Sequence, residues 1–254
     1  MTAFLPARLD DIRLGMTTLT RLPMGRWPLR SGATLRRSVW TYPLAGAVVG
    51  AVSGLAFQVA ALARLSPLLC AALALVVNVL VTGSFHEDGL ADFFDGIGGG
   101  RDRAHKLEVM RDSRIGTYGA TALILSFLVR WAALATLAAP ATVMTVWIAA
   151  GALSRAGIVV PLRLLAPARP DGLGVQAASP PAIAALVAAL GALAIAVPVL
   201  RWQAAPVILG VLLASLLVTG VAHRQLGGFT GDVLGACALI GEAAALVAAS
   251  AGWM

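Results

Sequence analysis

The sequence predicts an all-α membrane protein, a polytopic bundle of about seven transmembrane helices with short interfacial helices and a cytoplasmic N-terminus. Three observations predict it. First, 59% of the 254 residues are hydrophobic and only 12% are charged, with a mean hydropathy of +0.87; an ordinary soluble domain carries about 25% charged residues. Second, the apolar residues fall in blocks near 20 long, the length that crosses a hydrocarbon core of about 30 Å. Third, the basic residues are distributed unevenly between the connections, as the positive-inside rule requires.

Residues 1–43 begin with an expected interfacial helix, Ala7 to Leu19, with Leu9, Ile12, Met16 and Leu19 spaced for one face. Pro23 ends it. This segment holds seven arginines and no long apolar core, so no cleavable leader is expected. The predicted spans are 44–63, 67–83, 118–139, 142–162, 181–200, 204–222 and 233–251. With the N-terminus inside, the inner segments hold fifteen Lys and Arg and the outer ones two, Arg64 and Arg201. The reading is one integral-membrane domain over residues 1–254, with no soluble second domain and no clear internal repeat.

The net charge of +7 is almost all arginine. A basic balance is also the footprint of nucleic-acid binding, but here the charges mark inner loops, so no nucleic-acid partner is expected. The bilayer is the expected partner, a homo-oligomer is compatible with the chain, and the expected location is a bacterial cytoplasmic (inner) membrane. Cys70 and Cys237 both sit in apolar spans and read as packing residues.

One stretch breaks the pattern. Phe85 to Gly119 carries seven of the twelve acidic residues, and five basic ones. Ser84 followed by Glu87 has the form of a capping box, so a helix is expected to start there, with Gly96 and Gly98–Gly100 ending it. On that helix Asp88, Asp92 and Asp95 differ in direction by only about 40° and 20°. Three like charges on one face repel, so either a cation sits among them or they form a solvated face paired with Arg101, Arg103 or Lys106. Hard oxygen ligands favour Mg²⁺ or Mn²⁺ over zinc. An EF-hand is excluded by spacing. Glu87 points about 100° away from the triad and reads equally as a helix cap or a ligand. His86 is a candidate proton acceptor.

Gly98-Gly99-Gly100 reads as a phosphate-cradling loop or a hinge, and Arg101–Met110 as an interfacial amphipathic segment. Arg111 and Arg114 are candidates to grip phosphate or simply mark the inner boundary. Within the spans, Arg130 and Arg155 must face a partner or a cavity. Glu242 is the expected partner for Arg130, while Arg155 is expected to face the site. Two further inner loops each pair glycines with one Arg and one Asp: Arg169 with Asp171, and Arg224 with Asp232. Their position on the same face as the acids suggests a shared site.

These residues carry a resemblance. His86-Glu87-Asp88-Gly89-Leu90-Ala91-Asp92 with Asp95-Gly96, and Met110-Arg111-Asp112-Ser113-Arg114-Ile115-Gly116-Thr117-Tyr118-Gly119, resemble the cobalamin synthase family of adenosylcobinamide-GDP ribazoletransferases. So do Thr20-Arg21-Leu22-Pro23, Tyr42-Pro43, Arg169 with Asp171-Gly172-Leu173-Gly174, and Gly227-Gly228-Phe229-Thr230-Gly231-Asp232. Phe93 and Phe94 stand where smaller residues are expected. The resemblance implies a Mg²⁺-dependent membrane enzyme. Its substrates would be adenosylcobinamide-GDP and α-ribazole or its 5′-phosphate, and its products adenosylcobalamin or its 5′-phosphate, plus GMP. On that reading Asp88, Asp92 and Asp95, with Glu87 as a further candidate, hold the metal. Asp88, Asp92, Asp95 or His86 takes the hydroxyl proton, and Arg111, Arg114, Arg155, Arg169, Arg224 and Asp232 contact substrate. The competing readings are a prenyl-diphosphate or CDP-alcohol type transferase and a cation-coupled transporter.

Overall fold

A computed structural model of the chain describes residues 4–25 and 33–251; Arg26 and Arg30 of the N-terminal arginines lie outside the described residues. It is helical throughout, with a single isolated β-bridge between Pro167 and Phe229 among the described residues. Among the described residues thirteen α-helices follow one another: α1 (Phe4–Leu19), α2 (Leu35–Ser38), α3 (Tyr42–Leu62), α4 (Pro67–Thr82), α5 (Phe85–Gly99), α6 (Arg103–Val109), α7 (Thr117–Leu137), α8 (Pro140–Gly157), α9 (Val159–Leu164), α10 (Leu173–Gln176), α11 (Ala182–Leu200), α12 (Ala204–Leu226) and α13 (Gly231–Ala251).

Each expected span is a helix, and local chemistry sets their ends. Pro67 and Pro140 occupy the first turns of α4 and α8, where a missing N–H costs nothing. Ser66 caps α4 by accepting from the Leu69 N–H. The 45-residue apolar run Ala182–Leu226 is interrupted at Arg201, whose φ is +54°. Both ends of that run meet the same end of the bundle. Ser179, just before α11, donates to the Leu162 carbonyl, and the segment after α12 bonds to Ala166 and Ala168. The run is therefore a hairpin of two passes.

Among the described residues five helical stretches are long and apolar enough to cross a membrane; dividing Ala182–Leu226 at Arg201 makes six, and α4, which qualifies only together with α5 across a 90° break, is the seventh pass of the bundle, beside α3, α7, α8, α11, α12 and α13. The long polar connections gather at one end; those at the other end are short, with Arg64 and Arg201 as their charges. Pass α4 is short, 16 residues or about 24 Å. It stops at Gly83 and Ser84, both left-handed, and α5 leaves it at 90°. The start of α5 is level with the start of α3 and the end of α8: Phe85 and His86 share a cavity with Tyr42, Ile158 and Gly235. From there α5 packs against α13 and runs back along α7 to its start.

The densest packing joins α3 to α8. Gly46, Gly50 and Gly54 form one stripe on α3, facing Gly151, Trp147 and Met144 of α8. The two backbones come so close that a Cβ on Gly46 would lie 2.0 Å from the Gly151 carbonyl oxygen. Small residues at such a spacing are how helices bind each other in lipid, where no hydrophobic drive separates helix from solvent.

Two local expectations need correction. Ser84 does not cap α5: its φ is +59° and its side chain makes no cap bond. Gly96 does not end the helix, which stops at Gly99 with Gly100 as its cap, within the Gly98–Gly100 run expected to end it. On α1, which starts earlier, at Phe4, Met16 and Leu19 are buried and Leu9 is 54% exposed. The segment after α5 is helical as expected, over Arg103–Val109, and Asp102 caps it through the His105 N–H at 3.0 Å.

Candidate active site

A groove of about 500 Å³ opens at the polar end between α5, the loop after α6, and α7. Asp88 and Asp92 lie one helical turn apart on its wall, opposite Arg111 and Ser113, with Leu123 and Phe127 of α7 below. Asp88 is exposed and Asp92 half-buried. The carboxyl of Asp92 is pushed up to about 7, first by burial and then by the neighbouring charges of Asp232, Asp88 and Asp95; Arg169 opposes them. The excess of negative charge expected from the sequence is therefore present at Asp92.

Asp95 plays a different part. Its two oxygens accept from the Gly116 N–H at 2.7 Å and the Gly119 N–H at 2.8 Å. It caps α7 from another helix, satisfying two of the donors that a helix start leaves open. Among the described residues no group of three His, Cys, Asp or Glu is disposed to hold an ion. The three aspartates share a helix face, but only Asp88 and Asp92 line the groove.

Glu87 does not cap the helix; it lines the same groove as Asp88 and Asp92 but is drawn inward. It is buried, and Oε1 lies 3.2 Å from Nη2 of Arg130 on α7. Arg130 in turn lies 3.5 Å from Glu242 on α13, which also holds Arg155 on α8. The Trp147 indole donates to Glu242 at 3.2 Å. Two acids and two arginines thus form a neutral buried chain linking α5, α7, α8 and α13. The expected Arg130–Glu242 contact is there. The expectation for Arg155 is overturned: it is buried on Glu242 and does not face the groove. His86 is also turned away from the groove, fully buried against Gly235 of α13.

The loops supply the other cations. Arg169 Nη2 meets Asp232 Oδ2 at 3.3 Å, Thr230 donates to the same oxygen at 3.0 Å, and Arg169 Nη1 is buried without a partner. Arg111 donates from Nη2 to both carboxylate oxygens of Asp171, at 2.7 and 2.8 Å. Arg114 is 87% exposed and held by Asp112 two residues back, whose carboxyl it lowers to about 2. Arg224 is exposed at the end of α12 and is not on the groove.

Arg103, considered from the sequence as a partner for the acidic face, is used elsewhere. Its Nε donates to the Leu226 carbonyl at 2.7 Å, tying α6 to the end of α12. No spacing signal links positions so far apart. Phe93, unexpected by size, is a packing residue: it is buried and meets Phe94 edge-on at 5.6 Å.

Residues 11–250 match the family model described as cobalamin-5-phosphate synthase. The chain belongs to this family. It is 43% identical over 244 residues to an adenosylcobinamide-GDP ribazoletransferase of Bradyrhizobium diazoefficiens, covering 96% of this chain and 94% of that one. Proteins of the same description from Azorhizobium caulinodans (45%, 94% of each chain) and Mesorhizobium japonicum (42%, 95% of this chain and 93% of that one) are similarly related. No solved structure matches. Membership in the cobalamin-5-phosphate synthase family removes the transporter and the prenyl or CDP-alcohol transferase readings.

Proposed function

We propose that the chain is an adenosylcobinamide-GDP ribazoletransferase, acting at the inner face of the bacterial cytoplasmic membrane. It joins adenosylcobinamide-GDP to α-ribazole or its 5′-phosphate and releases GMP. One observation of the fold carries the assignment of the site: paired carboxylates, Asp88 and Asp92, share a groove with Arg111, while Arg169 and Asp232 stand next to Asp92.

The residues fit a Mg²⁺ ion of a particular kind. Mg²⁺ is commonly held by one or two carboxylates together with waters and substrate phosphates, without a full protein cage. Asp88 and Asp92 supply two such carboxylates, and the crowding around Asp92 favours a cation. When bound, Mg²⁺ would neutralise charge on the diphosphate.

The chain's own groups do the rest. Arg111 is exposed on the groove and can exchange Asp171 for a phosphate oxygen. Arg169 offers its unpartnered Nη1 beside Asp92. Between them they would hold the diphosphate while the ribose hydroxyl of the ribazole attacks phosphorus in line and GMP leaves. A groove carboxylate that the metal leaves free, Asp88 or Asp92, can accept the hydroxyl proton. His86 has no access to that proton from its buried position.

The test is direct. Membranes containing the protein receive adenosylcobinamide-GDP, α-ribazole and Mg²⁺, and GMP and corrinoid product are followed. A folded preparation that forms neither product would sink the reading.

A further inference from the structure

A second groove lies at the same polar end, away from the acidic one. It also measures about 500 Å³, and is formed where α1 and the turn before α3 meet the start of α11. Ile183, Ala184 and Val187 make an apolar floor, and Arg8, Arg37 and Trp40 make the rim. Below the floor, Leu190 continues the exposed strip of Ile183 and Val187 down α11 towards the opposite end of the bundle.

The rim is built. Asp11, shut off from solvent, accepts from the Trp40 indole at 3.1 Å and lies 3.5 Å from Arg8. The Arg8 guanidinium sits over the Trp40 ring, 5.6 Å from its centre. Arg36 donates to the Ser179 carbonyl at 2.9 Å, which ties α2 to the segment leading into α11. Arg13 adds charge on α1, whereas the acids of that helix, Asp10 and Asp11, are buried.

We propose that this groove binds one anionic phospholipid. Its phosphate would lie between Arg8 and Arg37, and an acyl chain along Ile183, Val187 and Leu190. Charge complementarity and position select this occupant. The guanidinium groups and the indole sit at the level where the passes begin, which is headgroup depth, and indoles favour that depth. The floor descends into the apolar slab, where an acyl chain is the available partner. A free anion would use the rim and leave the floor unfilled. Juxtamembrane arginines are attracted to anionic headgroups, each by enough to shift binding several-fold.

The site can be tested without reference to catalysis. Purified full-length protein in detergent is titrated with phosphatidylglycerol, or with phosphatidylcholine of the same chains, and retained lipid is counted by native mass spectrometry. Phosphatidylglycerol should be retained on the order of tenfold more strongly. The pair Arg8→Gln/Arg37→Gln should reduce it to the phosphatidylcholine level, and Arg37→Lys should keep most of it. Because Arg8 contacts Asp11 and Arg37 also makes contacts within the protein, Arg37→Gln is measured alone as well, with a melting curve for each variant to show that it is folded. Val187→Trp, which fills the floor and leaves the charge intact, should lower retention of both lipids. Equal retention of the two lipids would overturn the proposal. So would undiminished phosphatidylglycerol binding in the double arginine variant, or displacement by inorganic phosphate at the same concentration.

Discussion

The carboxylate of Glu87 and the guanidinium of Arg130 meet at 3.2 Å inside the bundle, with Arg130 0% exposed. Glu87 belongs to the acidic motif by sequence and lines the same groove as Asp88, yet its charge is turned inward to Arg130. Removing Arg130 leaves Glu87 buried and unpaired, a loss of about 3–5 kcal/mol. Arg130→Met should therefore lower the melting temperature sharply. Adding Glu87→Gln to it should recover part of the loss, because Glu242 keeps Arg155. A metal-ligand role for Glu87 would give another pattern: Glu87→Gln alone would abolish stabilisation by Mg²⁺, and Arg130→Met would leave it intact.

Asp92 and Asp95 lie on the same helix face and should respond oppositely to the same change. Asp95→Asn replaces one acceptor of the Gly116 and Gly119 N–H groups with a donor, at a cost of about 1–3 kcal/mol. It should lower the melting temperature. Asp92→Asn breaks no structural bond of that kind and should abolish turnover with folding and membrane insertion unchanged. GMP release and a melting curve for each variant decide the matter; wild-type activity in Asp92→Asn would remove Asp92 from the site.

The acidic face was legible because helical spacing is local: residues three and four apart must share a side. The division of labour along it was not, since it depends on what approaches from elsewhere. Asp95 became a cap because the start of α7 arrives beside it, and Glu87 an ion-pair partner because Arg130 does. The seven passes were legible from apolar block length, and the gathering of polar loops at one end from the basic residues. The 90° turn after α4 was visible only as a glycine, Gly83, since Ser84 gives no sign in the sequence that it adopts a left-handed conformation. Arg155 was misread because an arginine near a span's end looks the same whether it meets Glu242 or a substrate.

The raised Asp92 carboxyl has a pH consequence. Its value in the fold, about 7, lies above the ordinary 3.8. A carboxylate shifted that way contributes stability at low pH and loses it as pH rises through the interval between those values. The metal-free protein should therefore become less stable from pH 5 to pH 8, and Asp92→Asn should flatten that slope. Mg²⁺ should stabilise the wild type more at pH 8 than at pH 5, since its binding requires the ionised form. Melting curves with Mg²⁺ and with a chelator, at both pH values, provide the check; a wild-type slope that matches the variant's would reject the crowding at Asp92.

The α3–α8 contact sets the frame on which the site depends. α8 carries Arg155 to Glu242, and α3 brings Tyr42 beneath the start of α5. A Cβ at Gly46 would lie 2.0 Å from the Gly151 carbonyl oxygen, and one at Gly50 2.3 Å from that of Trp147. Neither obstacle is a side chain that can swing aside, so the helices themselves must separate. Gly46→Val should thus destabilise the bundle by at least the ~1–3 kcal/mol of an overpacked core. Gly191→Val is the control. A Cβ there meets nothing within 4 Å, so that substitution should be close to neutral. Thermal unfolding of the two variants in the same detergent compares them, and equal melting temperatures would mean that the two backbones are not in contact at Gly46.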